Sequence, residues 1–127
     1  MGLFHYQLII KAKESIRHKE IDRFLKKNQF SVVCETNDYV SYLKNSDNGV
    51  IEVLLDKQDN EFSMRTKIQN NCKIIDTIVS ILLQFSTETK NNISVYDVQN
   101  KQIFEVSDIA HLKELYLKRQ DLLKKYF

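Results

Sequence analysis

The residues that could bind a metal ion are scattered along this sequence. Its three histidines, His5, His18 and His111, lie on separate predicted elements, so a metal site would have to be assembled from distant segments. The HExxH motif of zinc proteases is absent, and so is the PCxxC element of zinc deaminases. We therefore expect no metal site and no cofactor.

Nucleophilic catalysis finds no support in the residue pattern. Cys34 lies on the predicted core face of a strand, and a thiol buried among apolar side chains is unreactive. We expect both Cys34 and Cys72 to be reduced and largely buried. The chain has only two glycines, Gly2 and Gly49, which excludes the GxSxG nucleophile motif and the glycine-rich GxGxxG and P-loop motifs.

Carboxylates cluster around one predicted hairpin but lack the setting of an acid–base pair. Glu52, Asp56, Asp59 and Glu61 are close together in the sequence. A glycosidase needs two carboxylates that face each other across a cleft, usually with aromatic platforms for the sugar, and this chain has no tryptophan. We interpret these residues as solvated turn carboxylates and predict that the protein is not an enzyme.

The charges are segregated although the net charge is only +2. Residues 11–27 hold seven Lys/Arg against three Asp/Glu, whereas residues 28–66 hold three against seven. Such segregation creates a directional field that can steer a charged partner. Tyrosine is enriched at protein interfaces, and two tyrosines lie within the acidic part. We predict that a partner protein binds there, at Asp38, Tyr39, Tyr42, Asp47, Glu52, Asp56, Asp59 and Glu61.

The basic part supports an alternative hypothesis, in which the first helix binds nucleic acid. Its candidate phosphate-binding residues are Arg17, Lys19, Arg23, Lys26 and Lys27. This helix lacks the interleaved aromatic residues of a groove for single strands, and no helix-turn-helix or zinc-finger pattern is present. Lysine also outnumbers arginine in the chain, and bidentate recognition of bases favours arginine.

Hydrophobic periodicity predicts the elements that position these residues. A period of two indicates strands, a period near 3.6 indicates helices, and short polar turns favour antiparallel neighbours. The Asn48-Gly49 pair is the strongest hairpin signal. The predicted strands are 3–11, 30–35, 39–44, 50–55, 61–68, 93–98 and 102–106. The predicted helices are 16–28, capped by Ser15, 71–86, and 109–126, capped by Ser107 or Asp108.

The predicted order is β-α-β-β-β-β-α-β-β-α, which indicates an α+β fold with a mainly antiparallel sheet packed by helices. The 127 residues suit a single domain, 1–127. The N-terminus lacks a basic region before its apolar residues, and the longest apolar stretch, 74–85, is interrupted by polar residues and is too short to span a bilayer. We therefore expect a cytoplasmic location and no membrane partner.

The whole chain resembles the small cytoplasmic immunity proteins of bacterial polymorphic toxin systems, including those of contact-dependent growth inhibition. The resemblance rests on size, on the element order and on the closing segment SVYDVQNKQIFEVSDIAHLKELY, which looks like the hairpin-then-helix ending of those proteins. It implies a stoichiometric inhibitor that binds a cognate toxin domain at its active site or at an exosite. Many such inhibitors of nucleases are acidic, and this chain departs from that pattern. An adaptor for another protein partner would share the predicted binding function.

Overall fold

Alternating apolar residues build a single sheet in the computed structural model, which describes residues 4–58, 61–69 and 72–126. Within these residues the chain forms seven strands. They are β1 (His5–Ala12), β2 (Ser31–Glu35), β3 (Tyr39–Ser46), β4 (Gly49–Asp56), β5 (Glu61–Lys67), β6 (Ile93–Asp97) and β7 (Gln102–Glu105). The α-helices are α1 (His18–Lys27), α2 (Lys73–Thr89) and α3 (His111–Leu123).

The strands pair in the order β2-β3-β4-β5-β1-β6-β7, and every pair is antiparallel. The α+β class and the element order are therefore confirmed. Strands β2 to β5 follow one another as the predicted meander. Strand β1, by contrast, lies between β5 and β6, where it pairs Leu8 with Met64 on one side and with Asp97 on the other.

The three helices cover one face of this sheet. Each strand from β3 to β6 alternates between buried and more exposed residues, and the paired registers bring the buried residues to the same face. These residues form one core with apolar side chains of the helices. Phe85 of α2 lies at its centre, with its ring edge-on to Phe24 of α1 (5.1 Å between centroids) and to Phe62 of β5 (5.3 Å). None of the helices in the described ranges is long and apolar enough to cross a bilayer.

Strand β2 departs from the prediction because it lies at the edge of the sheet. All five of its residues are exposed, so the predicted core positions of Val32 and Cys34 are wrong. A bulge between these two residues interrupts the alternation, and among the described strands β2 pairs with β3 alone. Cys72 is half-buried, and both thiols are free. The helices do not bury this edge, whose side chains depend on solvent or on a partner for cover.

Two predicted helix caps are also wrong. Helix α1 begins at His18 after Arg17, so the predicted cap Ser15 lies before the helix, and no side chain caps its first turn. The chain before the helix is held elsewhere. The Lys13 N–H donates to the Asn92 carbonyl (2.9 Å), and the Glu14 N–H donates to the Asn91 side chain (3.2 Å). The final helix is preceded by a 3₁₀ turn, Val106–Asp108, which occupies the positions of the predicted caps Ser107 and Asp108.

Helix α2 ends in an unusual residue for its conformation. Lys90 adopts a left-handed backbone (φ 53°), and the Asn91 N–H donates to the Ser86 carbonyl across the turn. Glycine is the usual residue at this position because it has no Cβ that clashes there. We expect Lys90→Gly to raise the free energy of unfolding by about 0.5–1 kcal/mol. Urea denaturation would measure this gain, with Lys101→Gln as a control for the loss of a lysine charge; equal or lower stability of Lys90→Gly would contradict it.

Candidate functional site

The sheet face opposite the helices, called the open face below, is an uncovered surface with apolar side chains. Cross-strand register places Ile9 of β1 beside Ser63 and Tyr96, and Tyr96 beside Ile103. On the other side, Ser63 lies beside Leu54. Leu54 is 45% exposed and Ile103 is 70% exposed. A row of apolar residues, interrupted by Ser63 on β5, thus crosses the sheet without helices above it.

A second row beside it contains a charge pair. Glu52 of β4 lies next to Arg65 of β5, and Leu43 and Gln7 flank them. The Glu52 carboxylate accepts N–H bonds from Arg65 Nε (2.9 Å) and from Arg65 Nη2 through the same oxygen. The second row, together with Leu54 and Ser63 of the first, lines a shallow concavity of about 380 Å³, which also reaches Val33 on the β2 bulge.

This concavity has the composition of a docking surface. Its carboxylate, Glu52, is engaged by the Arg65 guanidinium. The Ser41 hydroxyl donates to the Cys34 carbonyl (3.4 Å), and no histidine lines the concavity within the described residues. Apolar side chains around a central charge pair are well suited to contact with another protein.

The structure does not bring the predicted acidic binding residues together. Asp38, Tyr39 and Asp56 lie at one end of the β3–β4 hairpin, and Tyr39 is paired with Asp56 in register. Asp47 lies in the turn at the opposite end. Glu52 is in the open face, and Glu61 lies beside Lys11 on the same side of the sheet. Asp59 lies outside the described residues.

The predicted exposure of Tyr42 is wrong, since its ring is 1% exposed and faces the helices. Its hydroxyl donates to Asp22 Oδ1 of α1 (2.5 Å), and Lys26 pairs with the other Asp22 oxygen (3.1 Å). Burial alone would raise the pKa of Asp22, but the hydrogen bonds from Tyr42 and Lys26 outweigh it and lower this pKa. Burial and the bond to Asp22 raise the pKa of Tyr42. Tyr42 therefore anchors α1 to the sheet and is not available to a partner.

The basic residues of the alternative hypothesis divide between two surroundings. Lys26 is paired with Asp22, whereas Arg17, Lys19, Arg23 and Lys27 line an open cleft between α1 and the end of α2, called the α1–α2 cleft below. Lys27 pairs with Glu88 across this cleft (3.0 Å). Lys90 completes the lining from the α2 side, together with Glu20, Phe24 and Thr89.

Sequence reasoning missed both the open face and the contribution of Lys90 to the cleft. One signal for the open face was present, because Leu54 is apolar at an outward position between the inward Val53 and Leu55. No local signal linked Lys90 to the first helix. Across residues 4–58, 61–69 and 72–126, no group of three or more His, Cys, Asp or Glu side chains could hold a metal ion.

No protein-family model matches this chain, and no curated protein matches it. In the described part of the chain, the open face offers an uncovered apolar surface and the α1–α2 cleft offers a cluster of cations.

Proposed function

We propose that this chain is a non-catalytic protein-binding module that docks a folded partner domain on its open face. The observation that carries the proposal is the uncovered sheet face, where Leu54, Val33 and Ile103 remain exposed beside the Glu52–Arg65 pair. Isolated exposed apolar residues are ordinary on a protein surface. Here they lie on one uncovered face, where Ile9 and Tyr96 occupy the row between Leu54 and Ile103 and Val33 lies at the β2 edge.

The size of the open face fits such a partner. Seven strands spaced about 4.8 Å apart give a width of roughly 29 Å, and most strands are about 17–26 Å long. The face therefore offers roughly 500–750 Å², close to the ~800 Å² that each partner buries in an interface of standard size. Asp38, Tyr39 and Asp56 at the hairpin end supply a polar rim, where charges mainly influence the rate of association.

The resemblance to toxin-immunity proteins supplies the identity of the partner in this proposal. The chain would act in the cytoplasm as a stoichiometric inhibitor, with the cognate toxin domain bound to the open face. The test begins by identifying the product of the gene next to the one that encodes this chain. If that gene encodes a large secreted protein with a toxic C-terminal domain, co-expression of this chain should restore growth.

A pair of matched leucine variants tests the docking surface. Leu54 on the open face and Leu83 on α2 are 45% and 43% exposed, so Leu54→Lys and Leu83→Lys make equivalent surface changes on opposite sides of the molecule. We expect Leu54→Lys to weaken binding of the toxin domain at least tenfold, about 1.4 kcal/mol, because it places an unpaired charge in an apolar contact. Leu83→Lys should leave the affinity within about twofold of the wild-type value, a much smaller change than the tenfold loss expected for Leu54→Lys.

Calorimetric titration of the toxin domain measures both affinities, and circular dichroism checks that both variants fold. A loss of affinity confined to Leu83→Lys would show that the toxin domain binds the helices instead of the open face. Equal affinities for the wild type and both variants would remove the open face from the interface. If no neighbouring gene product binds and none is neutralised, the immunity proposal is wrong.

A further inference from the structure

The second distinctive surface lies on the helix side of the molecule, away from the open face. We propose that the α1–α2 cleft binds a phosphate-bearing anion, held by Arg17, Lys19, Arg23 and Lys90. This site is independent of protein docking on the open face, so either proposal can fail without the other.

The charges in the cleft are only partly neutralised. Lys27 pairs with Glu88, but among the described residues Arg17, Lys19, Arg23 and Lys90 form no ion pair with a carboxylate. Lys19 and Arg23 are four positions apart, so they are neighbours on one helix face and repel each other. The whole lining carries five cations, which are these four and Lys27, and two carboxylates, Glu20 and Glu88. A bound anion would relieve the repulsion between these cations.

The backbone of Lys90 provides an independent observation. A left-handed conformation at the end of α2 favours glycine, yet a lysine, Lys90, occupies the position with φ 53°. Lys90 also lines the cleft. Gln29 (φ 64°) and Lys101 (φ 56°) share this backbone conformation, and among the three only Lys90 lines the cleft. The cation at this position thus comes with a conformational cost.

The start of α1 adds to the positive potential of the cleft, since Arg17 and Lys19 are part of its lining. Arg17 is the N-cap residue, and its side chain can donate but cannot accept hydrogen bonds. The first amides of α1 consequently lack a side-chain acceptor, and the N-terminal end of a helix carries a partial positive charge. Arg17, Lys19 and the first turn therefore favour a negative ligand together.

The shape and composition of the cleft favour phosphate groups over bases. Its volume is about 740 Å³ and it is open to solvent, which suits an extended phosphodiester chain as well as a free phosphate. Its aromatic residue, Phe24, is buried in the core and offers no platform for stacking. Contacts to phosphates fix position without reading sequence, so we expect binding that is insensitive to base sequence.

Two charge-matched double variants test the site. Lys19→Gln with Arg23→Gln removes two cations from the cleft, and Lys67→Gln with Lys118→Gln removes two exposed lysines elsewhere. The probes are inorganic pyrophosphate, a short duplex DNA and a short single-stranded RNA, measured by titration calorimetry or fluorescence anisotropy. We expect the cleft variant to bind the responding probe at least tenfold more weakly, and the control variant to stay within about twofold, since each lost phosphate contact costs roughly eightfold near 0.1 M salt.

The probes distinguish the source of the phosphate. Binding of pyrophosphate and of both oligonucleotides identifies a general phosphate site, whereas binding of the oligonucleotides alone identifies a nucleic-acid backbone. For three to four duplex phosphates, affinity should fall roughly 40- to 150-fold between 50 and 200 mM salt. Equal losses in the cleft and control variants, or no binding of any probe at 50 mM salt, would overturn the proposal.

Lys90→Gly adds a test with opposite signs. The variant relieves the left-handed backbone, so its thermal midpoint without ligand should rise, while its affinity for the responding probe should fall roughly fivefold to tenfold with the loss of one cation. A purely structural role for Lys90 would raise the thermal midpoint and leave probe affinity unchanged, and that result would remove Lys90 from the site.

Discussion

Phe85→Ala is expected to lower the free energy of unfolding by about 3–5 kcal/mol, the range for truncation of a large buried aromatic side chain. Phe85 is completely buried and packs edge-on against Phe24 and Phe62, so its ring joins α2, α1 and the sheet. Truncation removes both aromatic contacts and leaves a cavity that the surrounding rings cannot fill. For a chain of this length, the thermal midpoint should fall by about 10–20 °C.

Calorimetry and urea denaturation would measure this loss, and two further variants calibrate it. Phe85→Leu keeps most of the volume and should cost about 1–1.5 kcal/mol, which keeps the prediction measurable if the alanine variant does not fold. Leu83→Ala changes an exposed residue on the same helix and should shift stability by no more than about 0.5 kcal/mol. A cost below about 1.5 kcal/mol for Phe85→Ala would show that the core repacks around the site.

Stability should also fall steeply above about pH 10 because burial raises the pKa of three tyrosines, Tyr6, Tyr42 and Tyr116. The Tyr6 hydroxyl donates to Asp97 at 2.5 Å, and the Tyr42 hydroxyl donates to Asp22 at 2.5 Å. Burial raises the pKa of both tyrosines, and the hydrogen bond to a carboxylate raises each pKa further. Asp97 is itself fully buried and also accepts hydrogen bonds from the Asn100 N–H (2.9 Å) and side chain (2.8 Å), which hold the β6–β7 turn.

The direction of this pH effect follows from proton binding. Above about pH 10 the unfolded chain has lost the tyrosine protons while the folded chain keeps them, so the unfolded state is favoured as pH rises. The stabilisation is complete below about pH 10 and declines by about 1.4 kcal/mol per pH unit for each tyrosine above it. Two such tyrosines together would remove much of the unfolding free energy of an ordinary domain within about two pH units above pH 10.

Denaturation midpoints between pH 8 and pH 12, with absorbance at 295 nm to follow tyrosinate, would measure the slope. Tyr6→Phe and Tyr42→Phe should each make the fall of the unfolding free energy with pH shallower by about 1.4 kcal/mol per pH unit, the contribution of one tyrosine. Tyr39→Phe is the matched control, since its ring is 45% exposed and its loss should leave the slope unchanged. A slope that is the same in all four proteins would assign the alkaline loss to other groups.

The two proposed surfaces have different structural requirements. The open face is formed by strand registers alone, so it depends on the pairing of β1, β4 and β5. The α1–α2 cleft depends on how α1 is seated, and Tyr42 and Phe24 hold that helix against the sheet and α2. Because they lie on opposite sides of the sheet, a protein on the open face and an anion in the cleft could be bound together.

The local pattern of the sequence determined the elements and the side of each strand that faces the core. Leu8, Ile51, Val53 and Phe62 fall at alternate positions of their strands, and all four are buried as predicted. Short polar turns, above all Asn48-Gly49, determined the antiparallel meander because a tight turn brings consecutive strands side by side in opposite directions. These properties depend on residues within about ten positions of one another, so they could be inferred without coordinates.

Tertiary structure decided which surfaces remain uncovered. The place of β1 between β5 and β6 joins residues that are far apart in the sequence, and the position of β2 at the edge exposes Cys34. Likewise, only packing brings Lys90 beside the first helix and turns Tyr42 towards Asp22. A two-residue hydrophobic period indicates that one face of a strand is apolar enough to be buried. Which helices cover that face, and whether anything covers the other, depends on long-range contacts that no local pattern encodes.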